Sequence, residues 1–178
     1  MEGLTDLLCG KSRPGHFRGV ATIVTKLFNI VKPDAAYFGQ KDAQQAIVIK
    51  QMAKDLNMAM KIKVMPTVRE ADGLAMSSRN AYLNPQERKD ALVLHQALLL
   101  AKTMIKNGQR SSQKIIAKMK ALINQKRSSR IDYTKIVDSK TLRPVKAVCG
   151  EVLIALAVYI GKTRLIDNLI LYRVKRLK

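Results

Sequence analysis

Tryptophan is absent from the chain, and aromatic residues make up only 4% of its 178 residues. Recognition of unpaired bases depends on stacking against aromatic faces, so this scarcity argues against that class of partner. Cysteine is nearly missing as well. Cys9 and Cys149 stand far apart in no Cys-x-x-Cys spacing, which excludes a disulfide framework and a zinc site of that kind. Two free thiols favour a reducing compartment. There is no charged-then-apolar leader and no run of about 18 apolar residues, so the expectation is a soluble, cytoplasmic protein with no membrane partner. Acidic residues are scarce too: 13 Asp and Glu against 33 Lys and Arg leave a net charge of +20. A surplus of that size attracts anions, whether nucleic acid or a phosphate-bearing small molecule, unless it reflects lineage bias alone. A basic nucleic-acid-binding module is therefore the alternative reading. No recognised nucleic-acid motif accompanies the charge, so the basic clusters at 126–130 and 173–178 read as solvated faces, with no specific nucleic acid expected.

What is present is an ordinary globular mixture, 47% apolar and 26% charged, enough for one large domain or two small ones. Residues 1–13 read as loop, closed by turn chemistry at Lys11-Ser12-Arg13-Pro14-Gly15. A helix is predicted over 16–31, where Val20, Ile23, Val24, Leu27, Phe28 and Val31 follow the i, i+3, i+4 template, and Pro33 stops it. Ala35-Ala36-Tyr37-Phe38 then fits a short buried parallel strand ended by Gly39. After Gly39-Gln40-Lys41-Asp42 a second helix is predicted over 43–56, and residues 60–65 alternate apolar and basic as a strand. A strand, a Gly-led turn and a helix N-terminus in that order form a phosphate-favouring arrangement, because ligands of open parallel sheets bind beyond strand carboxyl ends. Asp42 suits the helix N-cap, and a ribose hydroxyl would compete for the same carboxylate; Lys41 fits a surface lysine equally well. Two strands make only half of such a sheet. Either another chain completes it, or the polypeptide is a piece of something longer.

Residues 66–80 differ from everything around them: Pro66-Thr67-Val68-Arg69-Glu70-Ala71-Asp72-Gly73-Leu74-Ala75-Met76-Ser77-Ser78-Arg79-Asn80. Adjacent hydroxyls at Ser77 and Ser78 and the planar fork of Arg79 suit an anion, while a solvated interdomain loop is the plainer reading. Beyond it, Asn84-Pro85-Gln86-Glu87 spells a capping box with proline at the first helical position. One helix is predicted from there to Asn107-Gly108, and a second, capped at Ser111-Ser112, carries Ile115, Ile116, Met119, Leu122 and Ile123 on its inner side. His95 reads as a packed or partly exposed helix residue rather than a ligand, since no second His, Cys or acid stands at metal spacing. Strands are predicted over 133–137, 152–160 and 164–171, the last two joined by Gly161-Lys162-Thr163 as a hairpin, and 172–178 reads as a disordered basic tail. The second half is thus expected to be a small α+β domain.

With these motifs placed, the chain resembles the pantothenate synthetase (pantoate–β-alanine ligase) family. The matching residues are Arg13-Pro14-Gly15-His16-Phe17-Arg18-Gly19-Val20, then Tyr37-Phe38-Gly39-Gln40-Lys41-Asp42-Ala43-Gln44-Gln45, then 66–80, and finally Thr163-Arg164-Leu165-Ile166-Asp167-Asn168. The resemblance implies ATP-dependent condensation of pantoate with β-alanine through a pantoyl adenylate, giving pantothenate, AMP and pyrophosphate. It assigns Gly39, Gln40, Lys41 and Asp42 to ATP, with Lys41 near the phosphates and Asp42 at the ribose. Gln45 falls to pantoate, Val68 to the adenine through its backbone, and Met76, Ser77, Ser78 and Arg79 to the phosphates. Lys41, Ser77, Ser78 and Arg79 would supply charge stabilisation as pyrophosphate leaves. Mg2+ is expected with the ATP, and a homodimer is implied for the full-length family member.

Two departures qualify this. Gln40 stands where many relatives have Glu. The family's paired histidines, first pantoate glutamine and metal-binding acids are absent, since His16 and His95 form no such pair, and no metal ligand is assigned in this chain. The expectation is an α/β chain: 1–67 as the C-terminal part of a Rossmann-like nucleotidylyltransferase domain that binds ATP and pantoate, and 68–178 as an α+β lid with helices on an antiparallel sheet. These residues alone are expected to be inactive.

Overall fold

The structure, a computed structural model, describes residues 3–175. It has a mixed α/β fold with a parallel sheet and a separate three-stranded antiparallel sheet. The chain divides into two compact units. One holds the residues up to Thr67 together with Lys140–Leu142; the other holds Val68–Ser139 and the residues from Arg143 on.

In the first unit the order is α1 (Cys9–Ser12), α2 (His16–Val31), β1 (Ala35–Gly39), α3 (Ala43–Asp55) and β2 (Lys61–Met65). The single turn of α1 interrupts the stretch expected to be loop throughout. β1 and β2 run parallel, with Ala35 opposite Lys61 and Gly39 opposite Met65. Alternation along β2 is period two: Ile62 and Val64 turn inward while Lys61, Lys63 and Met65 are exposed. The core is small. Ala21 and Phe28 of α2 meet Ile49 and Met52 of α3, with Ala36, Phe38 and Ile62 packed against them. Phe28 and Phe38 meet edge to face, ring centroids 6.4 Å apart. Two sequence expectations need correction here. Tyr37 of the supposedly buried strand is 60% exposed, because the pleat sends it away from the core that Phe38 enters; Lys63 reaches across to its hydroxyl instead. The apolar stripe of α2 is also wider than the face the core covers. Val20, Val24 and Phe28 point inward, whereas Ile23, Leu27 and Val31 are exposed.

The second unit contains α4 (Pro85–Ala91), α5 (Val93–Lys106), α6 (Ser112–Ile123), β3 (Ser129–Asp138), β4 (Gly150–Ile160) and β5 (Thr163–Val174). The sheet is antiparallel in the order β3-β4-β5. One core joins Leu94, Leu98, Ala101 and Ile105 of α5, Ile115, Met119 and Ile123 of α6, and Val152, Ile154, Leu156, Val158 and Ile160 of β4. The capping box forms: Asn84 Oδ1 accepts from the Glu87 N–H at 2.8 Å and Glu87 Oε2 accepts from the Asn84 N–H at 3.0 Å. Ser111 caps α6, its hydroxyl accepting from the Lys114 N–H. The single helix expected up to Gly108 is two. Leu92, at φ −59° and ψ −21°, donates to Lys89 three residues back rather than four, a local tightening that separates α4 from α5. The expected tail is also partly wrong. β5 continues through Tyr172, Arg173 and Val174, with Val174 paired to Gly150, while 176–178 lie outside the described residues. Among the described residues no helix is long and apolar enough to cross a membrane.

Candidate functional site

In the first unit the candidate residues cluster at the carboxyl end of β1. Gly39 ends the strand, Gln40–Asp42 makes one 3₁₀ turn, and α3 starts at Ala43. Asp42 occupies the N-cap position, yet its side chain makes no capping hydrogen bond. Of the two roles open to it from sequence, capping is therefore not the one it performs, and its exposed carboxylate stands at the mouth of the turn. The first N–H groups of α3 are left without a side-chain cap, the arrangement that draws an anion to a helix start. Lys41 and Gln45 are half-buried on either side of that start. The neighbouring Gln44 is buried and structural. It accepts from the Cys9 N–H at 3.0 Å and donates to the carbonyls of Leu4 and Leu7 at 2.9 and 2.7 Å, tying down the segment before α2.

In the second unit residues 68–76 fold back as a small hairpin. Arg69 bridges to Ala75, Met76 N–H donates to Val68 C=O at 3.0 Å, and Glu70 N–H to Leu74 C=O at 2.8 Å. Val68, the position matched to adenine, is thereby hydrogen-bonded to the residue that opens the Met76-to-Arg79 run. The turn has φ +94° at Gly73, and a Cβ there would strike the His95 ring, so only glycine fits. Asp72 Oδ1 accepts from the Leu74 N–H at 3.1 Å. The run then enters a second 3₁₀ turn, Ser78–Tyr82, which Ser77 caps: its hydroxyl oxygen accepts from the Arg79 N–H at 3.3 Å, leaving its proton to donate elsewhere. Met76, Ser78 and Arg79 are exposed. The Arg79 guanidinium rests on the Arg164 carbonyl at 3.3 Å, a single exposed contact that an anion can readily displace.

Charged side chains hold this hairpin from both sides. Arg69 forks onto Asp167 of β5 at 2.7 and 3.0 Å and also donates to Gly73 C=O at 3.0 Å. Asp167 is only 2% exposed, so the pair holds the hairpin to the sheet with a carboxylate that has no solvent alternative. His95 lies beneath the turn, packed against Gly73. Burial, and next the positive Arg69, hold its pKa below the ordinary 6.5, with Asp167 opposing. On the other side Arg88 Nη2 meets Glu70 and Asp72, each at 2.7 Å, and Glu70 Oε1 accepts from Asn80 Nδ2 at 2.6 Å. The Asn80 amide, then Arg88, lower the Glu70 pKa; the Arg88 guanidinium, then the Leu74 N–H, lower that of Asp72.

Of the sequence candidates, Gly39, Gln40, Lys41, Asp42 and Gln45 thus gather in one unit, and Val68, Met76, Ser77, Ser78 and Arg79 in the other. Sequence reading did not assign roles to Arg69, Glu70, Asn80, Arg88 or Asp167. Arg69 and Asp167 lie 98 residues apart, and no local pattern announces such a pair. Glu70 and Asn80 stood inside a segment already singled out, and their polarity was the available signal. Among the described residues no three His, Cys, Asp or Glu side chains gather as a metal cluster.

Comparison with known proteins is consistent across sequence and structure. The family model of pantoate-beta-alanine ligase matches residues 1–170. The pantothenate synthetase of Moorella thermoacetica is 58% identical over 171 residues, which are 96% of this chain and 60% of the relative; that of Caldicellulosiruptor saccharolyticus is 59% identical with the same coverage. The crystal structure of pantothenate synthetase from Thermus thermophilus superposes with a TM-score of 0.92 at 41% identity, covering 99% of this chain and 62% of that one. The Francisella tularensis pantoate-beta-alanine ligase, described as complexed with beta-gamma ATP and beta-alanine, gives a TM-score of 0.67 at 33% identity, covering 95% of this chain and 56% of that one. The chain thus spans about 60% of the length of the curated relatives it matches. On the family-model match and these identities, the chain belongs to the pantoate-beta-alanine ligase family.

Proposed function

We propose that the chain supplies part of an ATP-dependent ligase that joins pantoate to β-alanine through a pantoyl adenylate. A carboxylate resists attack by an amine, so it must first be activated. Its oxygen attacks the α-phosphorus of ATP as the bond to pyrophosphate breaks. The β-alanine amine then attacks the acyl carbon, loses a proton and displaces AMP. Charge develops on the departing pyrophosphate in the first step, and Lys41 and Arg79 are the cations proposed to stabilise it, with Ser77 and Ser78 donating hydrogen bonds. Asp42 would hold the ribose, Val68 the adenine by its backbone, and Gly39 and Gln40 the turn that admits ATP; Gln45 would meet pantoate. Mg2+ would arrive with the phosphates of ATP. In this reading the first unit belongs to the nucleotide-binding domain, the second is the lid, and the whole enzyme is a cytoplasmic homodimer. These residues by themselves would not turn over, because the family's paired histidines are not among them.

The observation that carries the reading is the Ser77-capped turn with Ser78 and Arg79 exposed, next to Met76, whose N–H bonds back to Val68, in a chain of this family. Titration calorimetry of ATP into the purified chain tests it. Lys41→Ala and Arg79→Ala should each weaken ATP binding roughly tenfold or more, as expected for loss of a charged hydrogen bond worth about 1.5–3 kcal/mol. Unchanged affinity in both variants would remove the assignment.

A further inference from the structure

We propose that Glu70 is a positioning residue for the phosphate-binding turn, acting as a clasp that closes residues 70–80 into one loop; this rests on the assignment of Met76 to Arg79 to the phosphates of ATP. A carboxylate next to a phosphate site repels the ligand unless its charge is spent elsewhere. Both oxygens of Glu70 are spent. Oε1 accepts from Asn80 Nδ2 at 2.6 Å and Oε2 accepts from Arg88 Nη2 at 2.7 Å. Glu70 therefore does not meet ATP; it fixes the residue that follows Arg79.

The geometry gives the clasp its rigidity. Asn80 Nδ2 donates twice, to Glu70 and to the Ala75 carbonyl at 3.2 Å. Its amide cannot turn without breaking both bonds, because a flip would set the Oδ1 acceptor against two acceptor oxygens. Arg88 is committed in the same way: Nη2 serves Glu70 and Asp72, while Nη1 is buried and unpartnered. Arg88 belongs to α4, whose start the capping box fixes, so the loop is tied to a rigid element. Glu70 thus joins the hairpin, the end of the phosphate run and α4 at one carboxylate. Ser77, Ser78 and Arg79 hang between the Ala75 and Asn80 ends of that closure, preorganised where binding would otherwise have to order them.

Two readouts on the same variants test this. Glu70→Gln keeps the shape but cannot accept from both partners with charge; Asn80→Ala opens the clasp from its other end. In limited trypsin digestion, cleavage after Arg79 should accelerate about tenfold in each variant, as expected when a charge-assisted hydrogen bond holding the loop is lost, while cleavage after Lys102 in α5 and Lys118 in α6 stays unchanged. No acceleration, or an equal acceleration at all three sites, overturns the clasp. In calorimetry, ATP affinity should fall about tenfold and AMP affinity stay within about twofold, because a loop holding the outer phosphates has little to lose on AMP. Equal losses on both nucleotides make Glu70 merely structural and overturn its positioning role. A parent chain that binds no ATP removes the phosphate assignment beneath it, with the digestion still deciding whether the loop is clasped.

Discussion

His95 lies in a leucine-rich helix and shapes the candidate site from beneath, because Gly73 turns directly over its ring. Its pKa is depressed by burial and by Arg69, so the folded state prefers the neutral imidazole. The unfolded chain binds that proton more readily. Stability is therefore full above about pH 6.5 and is lost as pH falls through that value toward the depressed folded pKa. A thermal melting series from about pH 8 to pH 5 should show this decline, and His95→Gln should flatten it; an identical decline in the variant would place the titrating group elsewhere. Glu70 and Asp72 act in the same sense but lower on the scale. Their stabilisation is present above the ordinary carboxylate range and fades only as pH drops through their depressed values. Neither carboxylate contributes to a change near pH 6.

At the scale of elements, α4 shows what a short local signal can decide. Asn84 and Glu87 satisfy each other's backbone N–H groups, and Pro85 presets the first helical φ. Asn84→Ala should cost about 1 kcal/mol in chemical denaturation of the second unit; a change well below that would mean the box is redundant. The capping carboxylate also has a distant neighbour. A Cβ at Gly161, in the turn between β4 and β5 with φ +56°, would strike the Glu87 side chain, so the hairpin turn and the α4 start are built to fit each other. Strand lengths had a different source. β3 begins at Ser129, four residues before its apolar pattern does, because Ser129 and Arg130 pair with Ile160 and Tyr159. Arg130 then lies over the Tyr159 ring at 4.0 Å. A ladder extends a strand wherever the neighbour offers partners, whatever the strand's own alternation says.

Over the whole molecule, the two units carry complementary parts of the proposed chemistry: a helix start with Lys41, Asp42 and Gln45 in one, and a clasped turn with Ser77, Ser78 and Arg79 in the other. A catalytic histidine pair is in neither. Purified by itself and supplied with ATP, pantoate and β-alanine, the chain is expected to form no pantothenate above background in a product assay; robust turnover would show that the paired histidines are dispensable. The amino-acid order alone determined most of the helix and strand sequence, the capping box and the family, because each is written in neighbouring residues within a few turns of chain. Only the tertiary structure decided what holds residues 66–80. Asp167 arrives from β5 to hold Arg69, and Arg88 from α4 to hold Glu70. Those partners come from other elements, and their geometry exists only once the chain has folded.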